Sequence, residues 1–417
     1  MRSNETTPPN VSRRLAAWTA ISSLALMAAT WRLWIPQTIY PQVPAFESLC
    51  TAPAWLDWLG LGGTLIGLII LALTSRRRAV QFGCASVLVS LLLLFSLDQH
   101  RFQPWAYELW LFCMIWLCCF DFDRLKLMRW LLISVYFYSA CGKLDFEFLH
   151  TVGQQMLAVS LKAVGLDLQG LSPGFRLTLV ATFPMFELAT AFGLAWPRSR
   201  RMAGCLAVGL HLGLIVVLGP WGLNHRLGVL VWNAQVAMQV YWLFVSAQMQ
   251  EPEHSSAAWP RRIATTLIGA AIVLPSTERV GLWDHWPSWA LYSPHSSRVF
   301  VEVASPALDR LPEDLRKLVN HPSATPDEIS IWLAVPIDAW SLVALDTPIY
   351  PQARFQLGVA EKIATDSNAD VRVTVLGAAS RFTGIRRSIA YEGTLELTRA
   401  SKRYWFNHRP RNRVKNL

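Results

Sequence analysis

The chain has 417 residues, of which 53% are hydrophobic and only 16% are charged. A soluble globular protein of this length needs roughly 25% charged residues to cover its surface, so the composition favours a protein that is largely surrounded by lipid. The net charge is +10, but many of the basic residues lie in short loops between hydrophobic runs, where they indicate membrane orientation rather than nucleic-acid binding.

Residues 15–282 are predicted to form an all-α membrane bundle of about nine transmembrane helices. Crossing ~30 Å of hydrocarbon takes about 20 apolar residues. Runs of that order lie at 15–35, 53–74, 79–97, 104–120, 130–142, 175–196, 202–222, 227–248 and 263–276. The fifth and ninth runs are short, so their ends are the least well defined.

Lysine and arginine residues in alternate loops predict the orientation of this bundle. One side collects fourteen of them and the other side six. Because cytoplasmic loops carry the excess of positive charge, residues 1–14 are expected in the cytoplasm and the C-terminal domain outside it. The expected location is the cell (inner) membrane. The connecting segment 146–168, on the outer side, is interpreted either as an amphipathic helix in the interface or as an ordinary ordered loop.

Ionisable side chains at membrane depth mark candidate functional positions, because each costs several kcal/mol unless it is paired or hydrated. Glu187 and His211 each lie about nine residues from the cytoplasmic end of a predicted span, which places both ~14 Å deep. They are expected to face each other, so that the carboxylate fixes the imidazole tautomer for proton transfer. A purely structural interhelical hydrogen bond would need the same two residues.

Lys143 is the third candidate and lies toward the outer membrane boundary. A functional role and simple snorkelling of its ammonium group to the lipid headgroups are both consistent with this position. Asn233, Gln235 and Gln239 in the eighth predicted span either line the same interior or form hydrogen bonds between helices.

Residues 136–145 read Tyr-Phe-Tyr-Ser-Ala-Cys-Gly-Lys-Leu-Asp. This stretch resembles the Tyr-Phe-x-Ala-Gly-x-x-Lys-Leu segment of the vitamin K-dependent gamma-carboxylase family and its bacterial relatives, the horizontally transferred transmembrane (HTTM) domain proteins. Glu187, the Arg198-Ser199-Arg200 turn and Leu210-His211 then resemble that family's acidic residue, Ser-Arg turn and helix-borne histidine, in the same order. The likeness covers residues 130–244, and the same four-helix core also resembles the redox-associated DoxX and MauE membrane proteins.

The resemblance implies a catalytic role for Lys143, which matches a lysine proposed as the base that acts on vitamin K hydroquinone. It also implies Glu187 and His211 as further site residues and a quinone as cofactor, although the residues themselves identify no cofactor. Three features depart from the carboxylase pattern and argue against carboxylation. The Ala-Gly pair is Ser139-Ala140 here, the residue immediately before the lysine is Gly142, and the extracytoplasmic domain is much shorter.

Residues 283–398 are predicted to form a small α+β domain outside the membrane. Strands are expected at 299–303, 329–335 and 371–375, and helices at 312–319 and 352–364. His285, His295 and His321 lack metal-ligand spacing, so they are interpreted as surface or turn histidines and no metal site is predicted. The basic tail 399–417 is expected to be solvated, or to be attracted to anionic lipid headgroups.

Two functions are consistent with the sequence. The first is a redox- or quinone-associated membrane protein with an outward-opening site at Lys143, Glu187 and His211, whose partner is a lipid-soluble reductant or an extracytoplasmic protein. The alternative is a non-catalytic scaffold in the lipid bilayer that presents its outer domain to a protein partner. In the scaffold, substitution of Glu187 or His211 would affect stability only.

Overall fold

A computed structural model describes residues 11–119, 121–246, 258–319, 332–368, 370–401 and 404–412. The chain is mostly helical up to residue 280. The helices of this part are α1 Val11–Ala29, α2 Trp31–Trp34, α3 Trp55–Leu73, α4 Arg77–Leu97, α5 Pro104–Cys118, α6 Asp121–Lys143, α7 Phe146–His150, α8 Val152–Ala163, α9 Pro173–Ala195, α10 Arg200–Leu218, α11 Leu227–Val240 and α12 Ala258–Val273. A π-helical turn, Tyr241–Ser246, extends α11, and a 3-10 helix, Leu274–Val280, extends α12.

Six of these helices, within the described residues, are long and apolar enough to cross a membrane. They are α3, α4, α9, α10, α11 with its π-helical turn, and α12 with its 3-10 extension. They correspond to the second, third, sixth, seventh, eighth and ninth predicted spans. The other three predicted spans are helical as α1, α5 and α6, but α5 has only 15 residues and the N-terminal half of α6 is strongly charged. A multi-pass helical bundle is therefore supported, whereas the count of nine is not confirmed.

The C-terminal region contains a small antiparallel sheet. Its elements are β1 Arg298–Ala304, α13 Glu313–Arg316, β2 Trp332–Val335, α14 Ile337–Leu345, α15 Ala353–Ser367, β3 Val371–Leu376, β4 Ser388–Glu392 and α16 Gly393–Ser401. The strand order is β2-β1-β3-β4. Val301 pairs with Val335 on one side and with Val373 on the other. Alternate valines of β1 and β3 are buried, and α15 packs against these two strands.

Most of the predicted elements of this region are present. The predicted strands 299–303 and 371–375 correspond to β1 and β3, and the helix predicted at 352–364 corresponds to α15. Of the strand predicted at 329–335, only β2 lies within the described residues, and the helix predicted at 312–319 is only the short α13. The sequence did not predict α14 or β4. Four of the five β4 residues are exposed, so this strand lacks the alternation of apolar and polar residues that reveals β1 and β3.

The C-terminal region packs on the loop between α4 and α5. His100 in this loop lies with its Nε2 2.8 Å from the carbonyl oxygen of Pro348, and its ring stacks on Trp286. Arg354 donates a hydrogen bond of 2.7 Å to the side-chain oxygen of Gln99. All three polar side chains of this contact are buried, so the two parts of the protein share a closed interface.

A glycine allows a second approach between the two parts at the C-terminal end of α6. A Cβ atom on Gly142 would lie 2.5 Å from the Oγ of Ser293 and 3.5 Å from the Cα of Ala290. Only glycine leaves room for the backbone to come this close. The turn around Ser293 is therefore held directly beside Lys143, the next residue of α6.

The C-terminal tail returns to the N-terminal end of α3. Arg411 donates a hydrogen bond of 2.8 Å to Asp57, and Arg101 donates one of 2.5 Å to the other oxygen of the same carboxylate. All three side chains are buried. The expectation of a solvated tail is therefore wrong for Arg411, because a buried carboxylate needs cationic partners. Residues 402, 403 and 413–417 of the tail lie outside the described residues.

Replacing these charges should destabilise the protein in a graded way. Asp57→Asn removes the anion between two buried arginines and should lower the free energy of unfolding by about 3–5 kcal/mol. Arg411→Gln leaves Arg101 in place and should cost about 2–3 kcal/mol. Arg409, whose partner Glu47 is exposed, supplies the control, since Arg409→Gln should cost less than about 1 kcal/mol. Unfolding in mixed micelles, followed by tryptophan fluorescence, measures all three. Equal losses of unfolding free energy for Arg411→Gln and Arg409→Gln would contradict a stabilising role of the buried Arg411–Asp57 contact.

His100 should make the stability depend on pH. Burial lowers the pKa of His100 to about 4, against the smaller opposing effect of its hydrogen bond with Pro348. In the unfolded chain the histidine pKa is about 6.5, so between pH 6.5 and 4 the unfolded state binds a proton that the folded state does not. The free energy of unfolding should therefore decrease as the pH is lowered from 6.5 to 4, and the loss should reach about 3 kcal/mol at pH 4. His100→Gln should show a weaker dependence on pH, because glutamine does not titrate; parallel curves for the two proteins would refute this.

Candidate functional site

A cavity of about 860 Å³ extends from the middle of the helical bundle to the C-terminal region. Helices α6, α8, α9, α10 and α11 contribute the largest part of its wall. Turns and loops of the C-terminal region, including Trp286, Tyr292 and Ile349, line its other end. Most of the lining side chains are apolar, with a few polar groups on α6, α9, α10 and α11. Cavities of this size and character are the usual form of a small-molecule site.

Lys143 and Glu187 form a buried ion pair on the cavity wall. The Nζ of Lys143 donates hydrogen bonds to both oxygens of Glu187, at 2.7 and 2.8 Å, and to the hydroxyl of Ser139 at 2.6 Å. Ser139 in turn donates to Glu187 at 3.0 Å. Lys143 and Glu187 are only 4% and 8% exposed. The ammonium group therefore does not snorkel to the headgroups, because α9 brings its counter-ion to it.

His211 belongs to a second polar group on the same wall. Its Nε2 lies 2.6 Å from the hydroxyl of Tyr136, and its Nδ1 lies 2.9 Å from the Oδ1 of Asn233. The amide nitrogen of Asn233 donates to the carbonyl of Val229 at 2.9 Å, which fixes the amide so that Oδ1 faces the histidine. Nδ1 therefore carries the hydrogen, and Nε2 accepts the hydroxyl proton of Tyr136.

The expected pairing of Glu187 with His211 is corrected by these contacts. Glu187 binds Lys143 and Ser139, whereas His211 binds Tyr136 and Asn233. The two groups are connected through α6, where residues 136, 139 and 143 lie on one face because they are three and four positions apart. All three of the residues singled out in the sequence, Lys143, Glu187 and His211, line the one cavity.

The three polar residues of the eighth predicted span have different surroundings. Asn233 lines the cavity. The side-chain oxygen of Gln235 accepts a hydrogen bond of 2.8 Å from Ser22, and Gln239 donates one of 3.4 Å to Thr19. Both glutamines therefore connect α11 to α1 rather than serving the cavity.

The segment 146–168 forms helices and part of the cavity wall. Its helices are α7 and α8, and α8 packs against α9. Phe148, Val152 and Met156 line the cavity. The helical interpretation of this segment therefore describes it better than the ordered loop.

Sequence reasoning missed several polar residues of the site. Tyr136 and Ser139 lie seven and four positions before Lys143, and this helical spacing was a usable signal. Glu108 on α5 is buried and accepts a hydrogen bond of 3.1 Å from Trp232, which lines the cavity. Glu108 lies within a predicted span, and a carboxylate there is costly unless it is paired. This was also a usable signal, and it is the one that identified Glu187.

The interpretation of His285 and His295 as surface histidines is wrong. Both lie in turns, but they are only 3% and 1% exposed. Their rings are 4.9 Å apart, centre to centre, and both contact the carboxylate of Glu278. His321 lies outside the described residues. The turns of the C-terminal region thus bring together residues that are separated in the sequence.

The two histidines differ in their electrostatics. Burial lowers the pKa of His285, and its hydrogen bond with Glu278 only partly opposes this effect. Burial also disfavours a charge on His295, but its hydrogen bonds with Asp145 and Glu278 outweigh burial and raise its pKa. His295 in turn keeps the pKa of Asp145 below its usual value despite burial of that carboxyl group, because the facing imidazole donates to it; the backbone N–H of Phe148 and the guanidinium of Arg279 act in the same direction.

Comparison of the chain with protein-family models, with curated proteins and with solved structures found no match.

The Lys143–Glu187 pair should show strong energetic coupling. Lys143→Met and Glu187→Gln each leave one buried polar partner unmatched and should lower the free energy of unfolding by about 3–5 kcal/mol. The double variant should cost less than the sum of the two single variants by about 1–3 kcal/mol. Unfolding in mixed micelles measures this coupling. Lys162→Met, at an exposed lysine, is the control and should change stability by less than about 0.5 kcal/mol; strictly additive effects of the pair would contradict the structure.

Proposed function

We propose that this chain is a nine-span membrane protein whose cavity binds a lipid-soluble molecule with an oxygen-bearing ring, of the quinone class, and exchanges protons with it. The observation that carries the proposal is the Lys143–Glu187 ion pair on the wall of a large, mostly apolar cavity. Burying two charges costs several kcal/mol per ion unless they pair. Placing them beside an apolar cavity rather than in solid packing favours a ligand that uses them.

The walls of the cavity suit both parts of such a ligand. Apolar side chains of α8, α9 and α10 provide a surface for a ring and a hydrocarbon tail. Lys143 places its ammonium group on the cavity wall, and the Tyr136 oxygen, whose own proton is directed at His211, can accept a hydrogen bond from a ligand hydroxyl. His211 holds the hydroxyl of Tyr136 in place, and Asn233 holds the ring of His211 in one tautomer.

The ion pair provides a route to a basic lysine. A single proton transfer over the 2.7 Å between Nζ and Oε2 converts the ammonium and the carboxylate into an amine and a carboxylic acid. A medium of low dielectric favours this neutral form. The amine can then take the proton of a bound hydroquinone hydroxyl, which leaves an anionic oxygen beside the new ammonium group. Ser139 keeps Glu187 in position during both steps.

The orientation of the protein agrees with access from the outer side. The fourteen-to-six distribution of basic residues favours a cytoplasmic N-terminus, and nine spans then place the C-terminal region outside. The cavity reaches that region. The resemblance to the HTTM and DoxX-like proteins supports a quinone or another lipid-soluble reductant as the ligand, and an extracytoplasmic protein as a further partner. Carboxylation is not part of the proposal.

Blocking the cavity without touching its polar groups is the sharpest test. Gly213 on α10 lines the cavity, and a Cβ atom there would meet no described atom within 4 Å. Gly213→Phe should therefore fill the cavity and weaken binding of a short-chain ubiquinone analogue at least ~10-fold, or 1.4 kcal/mol. Quenching of the lining tryptophans by the quinone, in protein reconstituted into nanodiscs, measures the affinity.

The chain offers a matched control one turn earlier. Gly209 on α10 is equally open, with no described atom within 4 Å of its Cβ position, but it is not among the residues that line the cavity. Gly209→Phe should bind the quinone as wild type does. Lys143→Met should weaken binding and remove any proton uptake that accompanies it. If wild type, Gly213→Phe and Gly209→Phe all fail to bind the quinone, or bind it equally, the scaffold function replaces this proposal.

A further inference from the structure

The three side chains Glu278, His285 and His295 converge on one point at the outer end of the cavity. The Nδ1 of His285 lies 2.9 Å from Glu278 Oε1, and the Nε2 of His295 lies 3.1 Å from each oxygen of the same carboxylate. One nitrogen from each ring and the carboxylate lie within 4.8 Å of one another. All three side chains are largely buried.

The other nitrogen of each ring also faces an acceptor. The Nε2 of His285 lies 2.9 Å from the carbonyl oxygen of Ser293, and the Nδ1 of His295 lies 2.9 Å from the Oδ2 of Asp145. Arg279 is 3.3 Å from this Nδ1, but it is closer to Asp145 Oδ2, to which it donates at 3.0 Å. Both outward-facing nitrogens are therefore donors, and each ring presents its second nitrogen to Glu278.

A count of hydrogen atoms shows what this arrangement requires. A neutral imidazole carries one N–H group. His285 donates this N–H to the carbonyl of Ser293, and His295 donates it to Asp145. The remaining nitrogen of each ring then points a lone pair at an acceptor-only carboxylate, which is repulsive. Two imidazolium cations, or one cation placed between the rings and the carboxylate, would remove the repulsion.

We propose that Glu278, His285 and His295 bind a divalent transition-metal ion, with zinc as the best match. Two imidazoles and one carboxylate are a ligand set that zinc uses in sites that keep a position open for water or substrate. Ligands at bonds of ~2.0 Å around a tetrahedral ion are about 3.3 Å apart. The contacts of Glu278 with the two rings would lengthen by a few tenths of an ångström, and the two ring nitrogens, which lie within 4.8 Å of each other, would move to this separation.

The surroundings have the features of a metal site. Metal-bound histidines commonly donate their second N–H to a carboxylate or a backbone carbonyl, which orients the ring. Asp145 and the carbonyl of Ser293 occupy these two places. Asp145 is itself fixed by the backbone N–H of Phe148 at 2.8 Å. Counted with neutral imidazoles, Glu278, Asp145 and Arg279 give the site a net charge of −1, which favours a cation.

The site joins two parts of the structure that the cavity also joins. His285 and Ser293 line the cavity, and Asp145 follows Lys143 by two residues. A metal ion would therefore tie the turns of the C-terminal region to the outer end of α6. This inference does not depend on quinone binding, since the ligands of the ion are separate from the Lys143–Glu187 pair.

Titration of the purified, chelator-treated full chain with Co²⁺ tests the proposal. Co²⁺ takes the same ligands as zinc and gives visible absorption that reports its coordination. Wild type should bind about one ion per chain, and Zn²⁺ should displace it. His295→Gln and Glu278→Gln should weaken binding more than 100-fold, whereas Asp145→Asn, which changes only the support of His295, should weaken it about 10–100-fold.

His150→Gln is the control, because this histidine is exposed on α7 and should leave Co²⁺ binding unchanged. Zn²⁺ should also raise the melting temperature of wild type and of Gly213→Phe, but not that of His295→Gln, since an ion that binds only the folded state stabilises it. If wild type takes up no more Co²⁺ than His295→Gln, or if His150→Gln loses as much binding as His295→Gln, the site is a hydrogen-bonded cluster of imidazolium groups and the proposal is overturned. Failure of Gly213→Phe to block quinone leaves these readouts unaffected.

Discussion

The ion pair between Lys143 and Glu187 imposes the main constraint on the helical bundle. A single charge at that depth would be strongly unfavourable, so α6 and α9 have to pack with these two residues in contact. Ser139 completes the contact from the same face of α6. Tyr136, one turn earlier, then meets His211 of α10, which meets Asn233 of α11. The polar contacts on the wall thus fix how each of these four helices is rotated about its own axis. The rest of the cavity that they enclose is mostly apolar.

The sequence predicted the components of this wall better than their pairing. The cost of burying charge pointed to Lys143, Glu187 and His211 without any structural knowledge. Estimated depth then suggested Glu187 and His211 as partners, because each was nine residues from a predicted span end. The depth of a residue along a helix does not show which way its side chain points around the helix axis. The long Lys143 side chain also extends far enough along α6 to contact Glu187, which the position of its Cα atom does not reveal. The predicted pairing was therefore wrong, although all three residues line the cavity.

The C-terminal region shows a second limit of what sequence patterns can predict. Regular spacing identified β1, β3 and α15, because these elements bury alternate or helically spaced apolar residues. The cluster of Glu278, His285 and His295 lies in a 3-10 helix and two turns, where no fixed spacing relates side chains that meet, and Asp145 joins it from the end of α6. The same limit applies to β4, whose exposed residues carry no periodic signal.

The contact of Arg411 with Asp57 has a consequence for biogenesis. The two residues are separated by 354 positions, so α3 and the loop that carries Arg101 are inserted long before Arg411 leaves the ribosome. During that interval, the Asp57 carboxylate lacks one of its two cationic partners, and the carbonyl oxygens of Ala52 and Pro53 lack the Arg411 guanidinium that donates to them in the folded protein. Assembly of the helices and completion of this charge cluster are thus separate events in time. A chain cleaved before Arg411 would contain every described helix and still lack one of the two cations at Asp57.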